Sequence, residues 1–110
     1  MSQPKPFSTP EEAHRHFSAF CFNRTWDLLD KPERTAAENE EMIQACLASM
    51  WHWSQRPDCK NRERSVGAWQ ASRVYAVAGQ GENSLHYAQL ALDFAHDLPP
   101  FFQAYAFEAL

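Results

Sequence analysis

Four short breaks interrupt the helical periodicity of this chain, and they constrain its fold more than any other feature. Pro32 and Pro57 lie in the first two breaks, Gly79-Gln80-Gly81 forms the third, and Pro99-Pro100 closes the fourth. Proline disfavours helical geometry at the residue before it, and glycine takes the left-handed conformation in which many helices end. The breaks therefore predict an all-α fold of about five helices. Their expected bounds are residues 10–29, 36–55, 62–78, 82–96 and 99–110.

Capping signals mark the starts of three of these segments. Thr9 and Thr35 are each followed three residues later by a glutamate, Glu12 or Glu38, which is the pattern of a capping box. Asn61 is a possible cap for the third segment. Because the glycine-rich linker after the third segment is very short, we expect the third and fourth helices to fold back on each other as an antiparallel hairpin.

The composition favours one globular domain. The chain has 110 residues, of which 45% are apolar, 22% are charged and only three are glycine. That length suits a single domain with one modest core, and an all-β domain would need more glycine for its turns. Residues 1–8 are polar and proline-rich, so we expect a flexible arm there and a single domain over residues 9–110.

Charge and hydropathy argue against two classes of partner. The net charge is −4, whereas nucleic-acid-binding proteins usually carry a basic excess or a basic stripe. The basic cluster at Arg56, Lys60, Arg62 and Arg64 is interrupted by acidic residues, and we interpret it as a solvated helix start. No apolar run approaches the ~18 residues of a membrane span, and no signal-peptide pattern precedes the domain. We therefore expect a cytoplasmic protein with neither nucleic-acid nor membrane partners.

Motifs for catalysis or metal binding do not occur in the sequence. His14 and His16 are two residues apart, so a helix places them on nearly opposite sides and they cannot share a metal ion. No nucleophile motif or phosphate-binding loop is present. The three cysteines are odd in number and widely spaced, which argues against a disulfide framework. We expect a protein that is not an enzyme and that holds no metal ion or cofactor.

One stretch carries a repeat-like pattern of small and aromatic residues. Counted from Ser65 as position one, small residues occupy positions eight, twenty and twenty-seven, an aromatic residue occupies position eleven, and glycine occupies position fifteen. These residues are Ser72, Ser84, Ala91, Tyr75 and Gly79. The pattern resembles a tetratricopeptide repeat (TPR), whose helix pairs recur about every 34 residues. The match is best over residues 62–97, partial over 98–110 and only architectural over 9–56; the whole chain resembles bacterial TPR-like proteins of unassigned function.

The resemblance implies a short right-handed solenoid of stacked antiparallel helix hairpins. The sequence departs from the TPR pattern at His96, where a proline is usual, and at Ala88, where an aromatic residue is usual. In TPR proteins the first helix of each pair lines a concave groove, so the resemblance implies a non-catalytic module that binds a protein or peptide segment. The positions that would face this segment are Val66, Trp69, Arg73 and Ala76, with Gln103 and Phe107 in the next unit.

Trp69 and Arg73 are the leading binding candidates in that groove. They are four residues apart and share one face of the third helix. An aromatic platform beside a guanidinium suits a peptide carboxylate or an acidic side chain. The competing interpretation is that Trp69 packs in the interior and Arg73 pairs with a nearby glutamate.

A second aromatic cluster comprises Trp51, His52 and Trp53. These three consecutive side chains cannot all face one core, and Arg56 lies one helical turn beyond His52. One interpretation is packing between helices. The other is an aromatic pocket with a histidine and an arginine, which would make the chain a small-molecule-binding sensor domain.

The last predicted helix is rich in aromatic residues. Phe101, Phe102, Tyr105 and Phe107 would stay exposed unless a further helix or a second copy covered them. Exposed apolar ends of this kind mark interfaces. We expect Phe101, Phe102 and Tyr105 to form a homodimer or other homo-oligomer interface, or to be covered in a longer natural chain. A structural oligomerisation domain is therefore a third alternative for the function.

Overall fold

The structure is a computed structural model that describes residues 7–101 and 103. Within those residues it is all-helical and contains no strand, which confirms the predicted class. The four helices are α1 (Pro10–Leu29), α2 (Ala36–Ser54), α3 (Asn61–Val77) and α4 (Gly81–Ala95). Most of the predicted fifth helix and most of the predicted N-terminal arm lie outside the described residues.

The structure confirms Thr9 and Thr35 as N-caps, but the two caps differ in the partner of the glutamate side chain. The hydroxyl of Thr35 accepts a hydrogen bond from the backbone N–H of Glu38 at 3.1 Å, and the Glu38 carboxylate accepts one from the N–H of Thr35 at 2.9 Å. Thr9 likewise accepts from the N–H of Glu12 at 3.2 Å, but the Glu12 carboxylate accepts from the N–H of Ser8 at 2.7 Å. The capping box is therefore complete only at α2.

The start of α3 differs from the prediction. The N-cap residue is Lys60, which makes no side-chain cap hydrogen bond, and Asn61 is the first helical residue. The prediction of a cap at Asn61 is wrong. The backbone of Lys60 is extended (φ −121°, ψ 179°), so the helix begins one residue earlier than predicted, and the Asn61 side-chain oxygen accepts a hydrogen bond from the Arg64 guanidinium at 3.2 Å.

The turn between α3 and α4 depends on glycine at one position. Gly79 has φ +78°, a conformation that residues with a Cβ adopt at a cost. The N–H of Gln80 donates to the carbonyl of Tyr75 at 2.8 Å, and the N–H of Gly79 donates to the carbonyl of Ala76 at 3.1 Å. These are the two hydrogen bonds of a Schellman motif, so α3 ends where the glycine signal placed its end.

Polar contacts show that α3 and α4 run antiparallel. The Ser72 hydroxyl donates to the carbonyl of Ser84 at 2.9 Å, and the Ser84 hydroxyl donates to the carbonyl of Ser72 at 2.9 Å. Farther from the turn, the Ser65 hydroxyl donates to the carbonyl of Ala91 at 2.9 Å. The sequence separation of the contacting residues grows with distance from the turn, as an antiparallel hairpin requires.

The same geometry relates α1 and α2. Lys31 pairs with Glu38 at the connection between them. Farther along, the Ser49 hydroxyl donates to the carbonyl of Ser18 at 2.8 Å. The first two helices therefore form a second antiparallel hairpin.

The core lies around α3, which contributes to both buried clusters. One buried cluster joins Leu28 of α1 and Met42 and Cys46 of α2 to Ala71 and Val74 of α3. A second cluster contains Ala68, Ala91 and Ala95, so α3 and α4 approach through alanine. None of the four described helices is both long and apolar enough to cross a membrane.

Candidate functional site

Helices α1 and α3 contact each other through side chains, and we use the name α1–α3 groove for the surface around Phe22, Trp26, Val66, Trp69 and Arg73. The amide nitrogen of Gln70, a fully buried side chain, donates to the carbonyl of Phe22 at 3.1 Å. The rings of Trp26 and Trp69 also meet, with centroids 5.5 Å apart. These two contacts hold α1 against α3.

A cleft of about 380 Å³ opens beside these contacts, where α1, α2 and α3 meet. Gly67 forms part of its wall, and a Cβ at this position would lie 3.4 Å from Cγ of Met50 in α2. Each of the three helices contributes one large apolar side chain to the wall: Phe22, Trp53 and Val66. The full lining is Ala19, Phe22, Asn23, Trp53, Arg62, Glu63, Val66 and Gly67.

Glu63 is one of three polar residues in this wall, with Asn23 and Arg62. Its side chain is only 17% exposed, and its Oε1 atom lies 3.5 Å from a guanidinium nitrogen of Arg62, itself 63% exposed. Its Oε2 atom is buried and accepts no hydrogen bond from any group in the described part of the chain. A buried acceptor without a donor is costly, so this oxygen is a local cost to the fold.

The side chain of Arg56 packs against Trp53 and fixes its position. The Arg56 guanidinium lies over the Trp53 ring, 3.7 Å from its centroid. The guanidinium also makes two hydrogen bonds to the Asp58 carboxylate, at 2.8 and 2.6 Å, and one to the Ser18 hydroxyl at 3.0 Å. These hydrogen bonds hold the pKa of Asp58 at about 2. The charge of Arg56 is therefore already matched within the fold, and its role is to orient Trp53.

His52 and Trp51 lie outside the cleft lining, at the other side of the α1–α2 hairpin. The Nδ1 atoms of His14 and His52 are 2.9 Å apart, and the His52 ring also contacts Phe17. Burial, followed by the proximity of His14, lowers the pKa of His52. Trp51 is 56% exposed and its ring meets the edge of His14. The four residues predicted as a possible pocket thus divide, with Trp53 alone lining the cleft.

The predicted groove residues on α3 fall along one face of the helix. Val66 lines the cleft, and Trp69 contacts Trp26. The Arg73 guanidinium lies 5.8 Å from the Trp69 ring centroid, and no carboxylate of residues 7–101 pairs with it. Ala76 is exposed.

The predicted residues near the C-terminus are only partly described. The Gln103 amide donates to the carbonyls of His96 and Leu98, both at 3.1 Å, and so closes the turn after α4. Phe101 is 61% exposed. Phe102, Tyr105 and Phe107 lie outside the described residues.

A smaller cavity of about 230 Å³ lies behind the cleft. The two spaces share three wall residues, Trp53, Glu63 and Gly67. The buried Cys59 also lines the smaller cavity, and burial is the main reason that the pKa of its thiol is raised. Cys59 therefore stays a neutral thiol at physiological pH.

The sequence prediction missed Glu63 and the pairing of His14 with His52. Glu63 resembles any acidic residue in the first turn of a helix, and nothing local distinguishes it. In the described part of the chain, no three His, Cys, Asp or Glu side chains come close enough together to hold a metal ion. Compared with known proteins, the chain matches no family model, no curated protein and no solved structure.

Proposed function

We propose that this protein is a non-catalytic interaction module of the TPR type, and that it binds a segment of a partner protein along the α1–α3 groove. The observation that carries the proposal is the apolar cleft at one end of this groove, which accepts one anchoring side chain of the segment. Its volume of about 380 Å³ lies within the ~300–1,000 Å³ in which proteins usually hold organic groups.

The walls of the cleft suit an anchor. Phe22, Trp53 and Val66 come from three different helices and present apolar surface to one space. Binding energy in interfaces concentrates in a few aromatic or aliphatic anchors that fill such pockets. Because Arg56 and Asp58 fix the Trp53 ring before binding, little conformational entropy is lost when the anchor enters.

Arg73 supplies a charge farther along the groove. Its exposed guanidinium lies beside Trp69 and, within residues 7–101, has no carboxylate partner. A carboxylate of the bound segment would meet it there in a charge-assisted hydrogen bond. A segment that combines an apolar anchor with an acidic residue therefore fits both features.

The TPR assignment within this proposal is supported by the α3–α4 hairpin. Ser72 and Ser84 meet, Ala91 is fully buried, and Gly79 makes the turn. These are the roles that small residues and glycine have in such a repeat. Cys21, Cys46 and Cys59 are free thiols, which supports an active protein in the reducing cytoplasm.

A small-molecule sensor remains the second candidate. The observation that favours it is the adjoining cavity of about 230 Å³, which shares Trp53, Glu63 and Gly67 with the cleft. An organic ligand that filled both spaces would be larger than one side chain. Such a ligand would displace every peptide that binds in the groove. A module that binds only peptides would have no small-molecule ligand of this kind.

The test is peptide selection followed by a matched pair of variants. Peptides are selected from a random display library on the purified protein, and their affinities are measured for Ala19→Trp and Ala37→Trp. Both alanines are exposed on helices, but only Ala19 lines the cleft. We expect Ala19→Trp to fill the cleft and to lower affinity at least tenfold, and Ala37→Trp to leave it unchanged. Selected peptides that bind Ala19→Trp as tightly as the wild type, or no selected peptide at all, would overturn the proposal.

A further inference from the structure

Two histidines that do not line the cleft meet between α1 and α2. The Nδ1 atoms of His14 in α1 and His52 in α2 are 2.9 Å apart, and both side chains are partly exposed. His14 and His16 cannot share an ion because they lie on nearly opposite sides of one helix, but this limit does not apply to a pair formed between two helices. Neutral imidazole is the commonest side-chain ligand of metal ions in proteins.

The two rings are held in place before any ion binds. The Trp51 ring meets the His14 ring at 5.2 Å and the His52 ring at 5.0 Å between centroids, edge-on in both cases. One helical turn away, the buried hydrogen bond from the Ser49 hydroxyl to the carbonyl of Ser18 fixes the distance between the two backbones. An ion would therefore find both ligands already positioned, with little conformational entropy left to lose.

The separation of the two nitrogens suits one kind of coordination geometry. Bonds from zinc to imidazole are ~2.0–2.1 Å long, and with bonds of this length two nitrogens are about 2.9 Å apart at a right angle and about 3.3 Å apart at the tetrahedral angle. Right angles occur in square-planar and tetragonal sites, which are typical of Cu(II) and Ni(II). Without an ion the pair shares a hydrogen bond, and a turn of both rings about χ2, a soft torsion in histidine, aims both lone pairs at one ion.

We propose that His14 and His52 together bind one Cu(II) or Ni(II) ion through their Nδ1 atoms. Each ring binds in its neutral form with its N–H on Nε2, so the proton of the hydrogen bond between the two rings moves from Nδ1 to Nε2 of the same ring. No third His, Cys, Asp or Glu of the described residues completes the set, so water fills the remaining coordination positions. The site is independent of the proposed peptide binding, because neither histidine lines the cleft.

A nickel titration of matched histidine variants tests the site. The untagged protein is titrated with NiCl2 in an isothermal calorimeter as the wild type, His14→Asn, His52→Asn and His16→Asn. His16 is an exposed histidine of the same helix whose ring stacks on Phe20, so its variant removes a histidine and keeps the pair. We expect the affinity to fall about tenfold or more in His14→Asn and in His52→Asn and to stay unchanged in His16→Asn. Equal affinities in the wild type and the two pair variants would overturn the proposal.

A second measurement uses only the wild type, so it stays decisive even if a variant does not fold. The untagged protein with one equivalent of Cu²⁺ is examined by pulsed electron paramagnetic resonance, which counts the imidazoles bound to the ion. We expect two. A single imidazole, or only solvated Cu²⁺, would show that His14 and His52 share a hydrogen bond and form no metal site. Neither result bears on the cleft, which the comparison of Ala19→Trp with Ala37→Trp tests separately.

Discussion

The two helix hairpins share buried contacts from serine hydroxyls to backbone carbonyls, and they differ in their other contacts. Between α3 and α4 the contacts are short and buried: Ala68, Ala91 and Ala95 pack together, and serine hydroxyls bond to backbone carbonyls across the interface. Small residues let two helices approach closely, and any larger side chain would force them apart. The position of α3, and with it one wall of the cleft, is therefore fixed by packing.

Between α1 and α2 long polar and aromatic side chains supply much of the contact. Arg24 pairs with Glu41 at 2.8 Å, with both side chains at least 40% exposed, and His14 pairs with His52. Exposed ion pairs contribute little to stability and weaken with salt. The α1–α2 hairpin therefore adds contacts that respond to pH and ionic strength to its buried ones, Leu28 against Met42 and Cys46.

The comparison predicts that the largest loss of folding stability follows a substitution at Ala91. Ala91→Leu places three extra carbon atoms into a fully buried site against Ala68 and should lower the free energy of unfolding by ~1–3 kcal/mol. Arg24→Ala, which removes only the exposed ion pair of the other hairpin, should leave the urea midpoint nearly unchanged. Chemical denaturation of both variants measures the difference. A larger loss for Arg24→Ala than for Ala91→Leu would reverse the account of what holds each hairpin.

The smaller expected effect is a pH dependence of the folding stability, which arises from His52 in the α1–α2 hairpin. Because folding lowers the pKa of His52, the unfolded chain gains its proton first as the pH falls. The contribution of His52 to the free energy of unfolding is therefore fully present above about pH 6.5, and it is lost as the pH falls from there towards the pKa of His52 in the folded state. Asp58 and Glu38, each with a pKa of about 2, stay ionised throughout that range.

Thermal unfolding at pH 8 and pH 5.5 checks this expectation. The wild type should melt at a lower temperature at pH 5.5, and His52→Asn should lose part of that difference. The control is His86→Asn, which changes an exposed histidine of α4 and should keep the full difference. An unchanged pH dependence in His52→Asn would show that the contact with His14 does not perturb the titration.

Local signals in the sequence were enough to predict where the helices begin and end. They were not enough to predict which distant residues come into contact. The capping box at Thr35 and the glycine at position 79 act within one or two helical turns, so each can be recognised from its neighbours. Asn61 shows the limit, because the helix begins at Asn61 itself and Lys60 is the N-cap.

The candidate site depended on contacts that no local pattern records. Trp53 and Val66 were recognised as candidates, but Glu63 acquires its place in the cleft only when α1, α2 and α3 come together. His14 and His52 are 38 positions apart, and only the antiparallel packing of α1 and α2 makes them neighbours. The chemistry of this site is therefore a property of the assembled helices.

The most direct test of the binding cleft is a measurement on two neighbouring tryptophans. Protein labelled with 5-fluorotryptophan is titrated with a selected peptide and followed by fluorine NMR, with Trp→Phe variants for assignment. Trp53 lines the cleft, whereas Trp51, two residues away, is exposed beside His14. We expect the Trp53 resonance to shift to saturation with the peptide and the Trp51 resonance to stay in place. A saturable shift of Trp51 with no change at Trp53 would contradict the cleft as the binding site.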